Sequence, residues 1–292
     1  MKILILGATG SIGTAVAAEM AAHGHQVQAL ARSDASADAL AKRGYQTLQG
    51  DLLRPEEWAS AVNDVDAVIH VAATFDDDME AVDRRVVTTL IAAVDAPANP
   101  IRFIHTGGCW LYGATGDDVA TEDTPFNPIP AFEWAIQTAE MLTDTPAFST
   151  AIIHPAMVYH NGGGVLAGFL DEARVGDQIA LWGPASTRWP LIHRDDLAVA
   201  YRLLVERPDL TGHFNASAEV GVPIGEIAST ICANFATRPD LTERDLTASV
   251  TALGDWAEGM FLDQQMACPR LIRETGWRAQ VSDFRTSDLF SV

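Results

Sequence analysis

A glycine-rich segment near the start of the chain has the spacing of a turn that binds phosphate groups. It reads GATGSIG over residues 7–13, directly after the apolar run Ile3–Leu6 and at the start of an apolar helical pattern. Glycine permits a tight turn and close backbone approach to a pyrophosphate, and the N–H groups of a helix N-terminus attract its negative charge. This strand–turn–helix context predicts a dinucleotide site. The residues expected to line it are Gly7, Thr9, Gly10, Ser11, Ile12 and Gly13.

The end of the second predicted strand indicates which dinucleotide is preferred. An acidic residue there would bind the ribose hydroxyls of NAD, but the chain reads Arg32-Ser33 at this point. A guanidinium and a hydroxyl together suit the 2′-phosphate of NADP, so NADP(H) is the expected cofactor. Two observations keep NAD(H) open. The alternative for Arg32 is a position along the adenine or in solvent. The acidic Asp34 also follows closely, and an acid at this point would favour NAD.

Two later segments complete the predicted cofactor site. Asp51-Leu52 follows the third predicted strand, where the Asp51 carboxylate is expected to accept from the adenine amine. The fourth predicted strand ends at Val71 and is followed by Ala72 and Ala73, and such small residues let the chain pass close to the cofactor. His70, just before them on an apolar strand, is interpreted as a packed, hydrogen-bonded histidine rather than a catalyst.

Alternating strand and helix patterns in the first half of the chain predict an α/β fold. This order is typical of a Rossmann-type, doubly wound parallel sheet. The predicted strands are Ile3–Leu6, Gln26–Leu30, Gln46–Leu48, Ala67–Val71, Ile101–His105 and Thr150–His154. The predicted helices are Ile12–Ala22, Ala35–Lys42, Pro55–Val62, Met79–Val94 and Ala131–Leu142. The later, looser pattern predicts a smaller C-terminal substrate lobe. We therefore expect a dinucleotide-binding domain at 1–160 and a lobe at 161–292, with 189–206 returning to the main fold.

The composition excludes several classes of function. The formal charge is −20 at pH 7, and so acidic a surface repels phosphate backbones, so nucleic acid is not an expected partner. The chain has neither a run of about 18 apolar residues nor a leader layout, which predicts a cytoplasmic protein without a membrane partner. Cys109, Cys232 and Cys268 are scattered, so free thiols are expected rather than disulfides or a metal site.

Motifs spread along the whole chain are similar to those of a known family. Besides the segments above, the matching ones are Leu111–Gly113, His154–Tyr159, Leu191–Ala198 and Gly276-Trp277. The chain therefore resembles the extended short-chain dehydrogenases/reductases, which include the sugar-nucleotide epimerases and dehydratases. The resemblance implies the same fold, NAD(P) as cofactor with Pro155 beside it, and a small-molecule substrate. It also implies a homodimer formed through two helices per chain, here Met79–Val94 and Ala131–Leu142. The apolar residues of the first of these helices have the alternative of facing the core.

The catalytic residues of that family are absent from this chain. The family uses a Ser or Thr hydroxyl and a Y-x-x-x-K pair, in which the Lys cation lowers the pKa of the Tyr. Alignment on the flanking motifs places Gly108 at the hydroxyl position, Phe132 at the Tyr position and Ile136 at the Lys position. No Y-x-x-x-K occurs anywhere, and no lysine follows Lys42. The chain therefore resembles the atypical members of the family.

Several side chains are candidates to replace the missing proton donor. They are Tyr112, Glu133, Tyr159, His154, His160 and His193. Each has a structural alternative, such as packing for the tyrosines, or a strand-to-helix turn fixed by His193 with Asp195. Cys109, with His105 four residues earlier, is a candidate nucleophile whose alternative is a buried structural thiol.

The residues around the lost catalytic set also indicate the substrate and the function. Cys109, Trp110 and Phe132 are expected to form an apolar, aromatic wall that suits a hydrophobic or planar molecule, with Arg188 available for an anionic group. One hypothesis is an NADP-dependent oxidoreductase that transfers hydride to such a substrate and uses a non-standard proton donor. The other is a non-catalytic NAD(P)-binding sensor or scaffold, which the absence of all three catalytic side chains supports.

Overall fold

The computed structural model describes residues 1–76, 78–95, 99–176, 178–235 and 239–290, and it divides the chain into two compact units. The first unit contains Met1–Gly107, Trp134–Ile153 and Leu197–Phe214, and the second contains the remaining segments. The expected division was a domain at 1–160 and a lobe at 161–292 with 189–206 returning to the main fold, whereas in the structure the chain passes between the units several times. Of the segment 189–206, which was expected to return to the main fold, the part from Leu197 belongs to the first unit.

Strands alternate with α-helical or 3₁₀ segments as far as residue 155, and after it some strands follow one another directly. The strands are β1 (Lys2–Leu6), β2 (Gln26–Ala31), β3 (Gln46–Gln49), β4 (Ala67–His70), β5 (Ile101–Thr106), β6 (Phe148–Pro155), β7 (Met157–His160), β8 (Gly163–Gly164), β9 (Gln178–Leu181), β10 (Arg188–His193), β11 (Gly212–Ala216), β12 (Glu219–Pro223) and β13 (Asp240–Glu243). The α-helices are α1 (Ser11–Ala22), α2 (Asp34–Ala41), α3 (Met79–Ala93), α4 (Trp134–Thr143), α5 (Ala167–Val175), α6 (Arg194–Val205), α7 (Ile224–Phe235), α8 (Leu246–Leu253) and α9 (Pro269–Thr275).

A seven-stranded sheet forms the centre of the first unit. Its strand order is β11-β6-β5-β4-β1-β2-β3. The pairs β1–β2, β1–β4, β2–β3, β4–β5 and β5–β6 are all parallel. Strand β1 is fully buried from Ile3 to Leu6, as expected for a parallel sheet that is covered on both faces. The predicted Rossmann-type α/β fold is confirmed.

The helix predicted over Pro55–Val62 is wrong. The chain forms two short 3₁₀ segments instead, Pro55–Glu57 and Ala59–Asp64, which are separated at Trp58. Trp58 is 2% exposed, and its indole N–H donates to the carbonyl oxygen of Asp51 at 2.8 Å. So short a segment gains little stability from forming an α-helix, and burial of this large ring therefore favours the two 3₁₀ segments.

Helix α3 packs its apolar stripe into the core of the first unit. Val86, Val87 and Leu90 are completely buried and form one cluster with Leu6 and Phe103. These apolar residues therefore face the core, which was the alternative to a role in subunit pairing. The homodimer stays a prediction, and any interface on α3 would have to use its charged outer face.

The second unit contains a four-stranded sheet with the order β12-β10-β7-β8. Strand β10 pairs antiparallel with β12 and parallel with β7, and β9 pairs with β13 in a separate two-stranded sheet. This mixed arrangement agrees with the looser pattern of the later sequence. In the described ranges, no helix has the length and apolar character needed to cross a membrane.

Candidate functional site

The glycine turn of the first unit has a geometry that larger residues would disrupt. Gly7 has φ +95°, and a Cβ atom there would lie 2.8 Å from the backbone nitrogen of Ala72. A Cβ atom on Gly13 would lie 2.0 Å from the carbonyl oxygen of Gly7. These approaches are too close for any side chain, so β1, α1 and the end of β4 can meet only with glycine at both positions.

The N-terminus of α1 follows this turn without a capping side chain. Gly10 is the N-cap residue, and its N–H donates to the carbonyl oxygen of Gly7 at 3.0 Å. By contrast, Ser33 caps α2 and Asp245 caps α8 with side-chain oxygens. The first N–H groups of a helix have no acceptor within the helix, and an anion bound at α1 would satisfy them. The residues present thus fit the pyrophosphate of a dinucleotide.

Residues at the start of α2 could recognise a 2′-phosphate. Arg32 directly follows β2, is exposed, and forms no ion pair with any residue in the described ranges. Ser33 and Ser36 form a capping box, in which the Ser33 hydroxyl accepts from the Ser36 N–H at 3.3 Å. Asp34 occupies the first turn of α2 and is also exposed. Ser36 was not among the predicted cofactor residues, although the S-x-x-S spacing of a capping box would have pointed to its hydroxyl.

The remaining cofactor candidates lie in two segments of the first unit and one of the second. Oδ1 of Asp51 accepts from the Leu53 N–H at 3.0 Å, which fixes the turn after β3. The Val71 N–H donates to the Leu6 carbonyl oxygen at 3.0 Å, so the segment after β4 continues alongside β1. Within these segments Leu52 and Ala72 are half-buried and Ala73 is exposed. Pro155 ends β6 and is buried in the second unit.

At Gly108, the hydroxyl position of the missing catalytic set, the surroundings leave room for a side chain. A Cβ atom on Gly108 would meet nothing within 4 Å, and its φ of −173° is extended backbone that any residue adopts. A serine would fit there, so space alone does not explain the glycine. Phe132 ends the 3₁₀ segment Pro130–Phe132, and Ile136 lies half-buried on α4. Neither side chain carries a polar group that could move a proton.

The two candidate tyrosines are held in structural positions. The Tyr112 hydroxyl donates to Oδ1 of Asn215 at 2.8 Å, and the Asn215 amide in turn donates to the Ala267 carbonyl oxygen at 3.0 Å. Burial raises the pKa of Tyr112 well above its ordinary range, and burial does the same for Tyr159, which is completely buried. A raised pKa makes each hydroxyl a poorer proton donor. Both tyrosines fit the packing alternative.

The other candidate donors are exposed or also occupied. Glu133 is exposed to solvent. Nδ1 of His193 accepts from the Asp195 N–H at 3.3 Å while its Nε2 lies 3.1 Å from Oδ1 of Asp288, so His193 fixes the start of α6. Nδ1 of His160 accepts from the Gly162 N–H at 3.1 Å. His154 is completely buried, with the Phe126 ring centroid at 5.3 Å.

Cys109 is a buried structural thiol. It is 4% exposed, and burial raises the pKa of its thiol to about 12, so the nucleophilic thiolate is disfavoured. Its carbonyl oxygen accepts from the Gln264 side-chain amide at 2.9 Å. His105 is directed at Asp83 in the first unit. Cys109, Cys232 and Cys268 are all free and buried, as expected.

Three aromatic rings cluster in the second unit. The Trp110 and Phe132 centroids lie 5.3 Å apart, and Trp110 stacks on Trp256 at 6.4 Å with an interplanar angle of 18°. All three residues are half-buried. A Cβ atom on Gly259 would lie 2.4 Å from the Trp110 ring, so only glycine at this position leaves room for the ring. Trp256 was missed in the sequence, because nothing near it in the chain connects it to Trp110.

Arg188 does not present a free guanidinium, which corrects its expected role toward an anionic substrate. Its Nε and Nη2 donate to the two carboxylate oxygens of Asp263 at 2.9 and 2.6 Å. Nη2 also donates to the Gly116 carbonyl oxygen at 2.7 Å, and Nη1 lies 3.3 Å from Oδ1 of Asp117. Two carboxylates thus already balance its charge.

Comparison with known proteins supports the assignment made from the fold and the turn. The family model for the NAD dependent epimerase/dehydratase family matches residues 3–217, well over half of the chain. An uncharacterised protein of Saccharomyces cerevisiae is 26% identical over 240 residues, which cover 79% of each chain. The human epimerase family protein SDR39U1 is 25% identical over 298 residues, 95% of each chain.

Solved structures have the same fold over nearly the whole chain. The crystal structure of human SDR39U1 with NADPH has a TM-score of 0.79 and 21% identity, covering 97% of this chain and 96% of that one. The Thermus thermophilus UDP-glucose 4-epimerase complex with NAD has a TM-score of 0.80 and 18% identity, covering 99% of both. The fold and glycine turn thus define a Rossmann-type protein of the extended short-chain dehydrogenase/reductase type. The chain belongs to the NAD dependent epimerase/dehydratase family.

Proposed function

We propose that this protein is an NADP(H)-dependent oxidoreductase that acts on a small, planar and largely apolar substrate without the usual Ser–Tyr–Lys set. The observation that carries the proposal is the glycine turn, in which Gly7 and Gly13 leave no room for a Cβ atom. Family membership supports NAD or NADP as the cofactor. The exposed Arg32 beside the Ser33–Ser36 capping box supports NADP, because these groups suit a 2′-phosphate.

The residues of the first unit would hold the cofactor in distinct ways. The N-terminus of α1 would bind the pyrophosphate, Arg32 the 2′-phosphate and Asp51 the adenine amine. When bound, the nicotinamide would supply or accept a hydride. NADPH bound to human SDR39U1 is a property of that relative, and it supports the same choice for this chain.

Neither candidate tyrosine is a favourable acid, so we propose water as the proton source. Tyr112 is bonded to Asn215, and burial disfavours proton release by Tyr159. A reaction that needs no precisely placed acid fits this site best, such as reduction of an imine or of a double bond conjugated to a carbonyl group. The rings of Trp110, Phe132 and Trp256 would stack on such a planar substrate.

Turnover with NADPH over a panel of planar imines, enones and ketones tests the proposal. We expect NADPH oxidation with some of these compounds, and a KM at least about fivefold higher in Trp256→Ala, since aromatic contacts contribute about 1 kcal/mol beyond area burial. Trp182→Ala is the matched control, because Trp182 is equally half-buried but contacts Phe261 and Arg244 instead. Absence of NADPH oxidation across the panel would contradict the proposal.

A second candidate function is a dinucleotide sensor without turnover. The hydrogen bond from Tyr112 to Asn215 favours it, since the hydroxyl of this candidate donor is engaged within the protein's own structure. A sensor should bind NADPH and NADP with clearly different affinities while the panel above shows no turnover. Equal affinities together with turnover would exclude it.

A homodimer through the outer faces of α3 and α4 is a further part of the proposal. The two helices are already linked within the chain, because Nη2 of Arg84 donates to Oε1 of Gln137 at 3.2 Å. The family resemblance supports pairing of these helices between copies. Mass measurement in solution tests it, and a monomer at all concentrations would contradict it.

A further inference from the structure

Two histidines and one aspartate converge in the core of the first unit. His70 at the end of β4 is in register with His105 on the neighbouring β5, so both rings lie on the same face of the sheet. Asp83 of α3 packs on that face within the helix's buried stripe. The three ligand atoms all lie within 4.8 Å of one another.

All three side chains are buried, with exposures of 2% for His70, 8% for Asp83 and 4% for His105. Nδ1 of each histidine and Oδ2 of Asp83 have no hydrogen-bond partner in the described part of the chain. No arginine or lysine of the described residues pairs with Asp83. A buried carboxylate and buried imidazoles are costly unless they are hydrogen-bonded or bind a cation.

The contact between His70 and Asp83 has an unusual geometry. Nε2 of His70 lies 3.0 Å from Oδ1 of Asp83, which is ion-pair distance. The same Nε2 nevertheless lacks hydrogen-bond geometry toward any acceptor of the residues that the structure describes. Nε2 of His105 lies 3.9 Å from Oδ2 of Asp83, beyond hydrogen-bond distance. These nitrogen and oxygen atoms approach one another without forming hydrogen bonds. Such an arrangement fits side chains that converge on one common bound atom.

We propose that His70, Asp83 and His105 bind a divalent first-row transition metal, with Zn²⁺ as the simplest candidate. Two imidazoles and one carboxylate are a ligand set that such metals use, with further positions open to water. Tetrahedral ligands at zinc distances lie about 3.3 Å from one another, so the side chains need only small rotations to close around the ion. Ca²⁺ and Mg²⁺ are not expected, since they prefer all-oxygen sites.

The metal would connect three elements at the base of the dinucleotide turn. It would link β4, β5 and α3 to one another. Its ligand His70 lies two residues before Ala72, whose backbone contacts Gly7. We expect a stabilising role here, and the inference does not depend on the proposed catalytic function.

Metal-free full-length protein titrated with Zn²⁺ tests the inference. We expect one Zn²⁺ per chain to remain after gel filtration, and a rise in Tm on the order of 5 °C at a hundredfold excess over Kd. Both effects should be lost in Asp83→Asn and His105→Asn. His23→Gln is the matched control, since His23 forms an exposed pair with Glu19 on α1, and it should bind Zn²⁺ like the wild type.

Co²⁺ in the wild-type protein gives a readout that does not require a folded variant. A visible ligand-field spectrum without a thiolate charge-transfer band, bleached by added Zn²⁺, supports histidine and carboxylate ligands. A thiolate band would assign the metal to a cysteine and overturn the inference. Failure of the wild type to retain Zn²⁺, or equal retention by Asp83→Asn, would also overturn it.

Discussion

Gly13 and Gly7 are in a contact that no other pair of residue types could make. A Cβ atom on Gly13 would lie 2.0 Å from the Gly7 carbonyl oxygen, and Gly7 itself has φ +95°. The start of α1 is therefore held against the turn that precedes it. This contact sets the direction in which the first N–H groups of the helix point, and hence where an anion can bind.

Replacement of Gly13 should remove dinucleotide binding. In Gly13→Ala the new methyl group must displace backbone, so we expect at least about 2 kcal/mol lower unfolding free energy and at least tenfold weaker NADPH binding. Chemical denaturation and calorimetry measure the two effects. Gly168→Ala on α5 is the matched control, because a Cβ atom there meets nothing within 4 Å, and it should bind NADPH normally. Unchanged binding in Gly13→Ala would contradict the role of the turn.

Arg32 should determine the preference for NADP over NAD. Loss of a charge-assisted contact to the 2′-phosphate in Arg32→Gln should weaken NADPH binding about 10- to 100-fold and leave NADH binding nearly unchanged. Arg43→Gln, at an exposed basic residue after α2, is the control for net charge and should change neither. An equal loss for NADPH and NADH would show that Arg32 contacts another part of the cofactor.

Tyr112 should act in stability rather than in proton transfer. Tyr112→Phe leaves the buried Oδ1 of Asn215 without its donor, which should cost about 1–3 kcal/mol of unfolding free energy. Turnover, where it is found, should change less than about twofold in kcat, since a general acid contributes about a hundredfold or more. A hundredfold loss of kcat with normal NADPH affinity would restore Tyr112 as the proton donor.

Glu219 should make stability depend on pH. Burial raises its pKa from 4.5 to about 7 despite the hydrogen bond that it accepts from the Phe284 N–H at 2.8 Å. Between these values the folded protein keeps a proton that the unfolded chain releases, so stability should fall as pH rises from about 5 to 8. Glu219→Gln should flatten this dependence and raise stability at pH 8 by about 1 kcal/mol or less, since the group is half-exposed and screened.

Glu140→Gln, at an exposed position of α4, is the control for loss of one carboxylate and should keep the wild-type pH profile. Thermal unfolding at a series of pH values measures the dependence for all three proteins. A Glu219→Gln variant with the wild-type slope would contradict the assignment to this residue.

The parts of the structure that depend on local pattern could be predicted from the sequence. The apolar run at Ile3–Leu6, the glycines that follow it and the absence of a Y-x-x-x-K pair are all visible within short segments. The free cysteines were likewise expected, and the turn formed by His193 and Asp195 was the structural alternative given for His193.

Features that depend on contacts between distant segments could not be predicted in the same way. Trp256 reaches Trp110 only through the tertiary fold, and the charge of Arg188 is balanced by Asp263 rather than by a ligand. The interpretation of His70 as a packed residue did not include Asp83 and His105. The signal was present, since Asp83 stands inside the apolar stripe of α3 and His105 occupies the matching position of the next strand.

Calorimetric titration of the purified protein with NADPH, NADP, NADH and NAD is the most direct test that the glycine turn and Arg32 form an NADP site. We predict one NADPH per chain, bound at least about tenfold more tightly than NADH because of the 2′-phosphate contact. Binding of NADH and NADPH with equal affinity would leave the turn in place but contradict the role of Arg32. Absence of binding for all four dinucleotides would contradict the cofactor site itself.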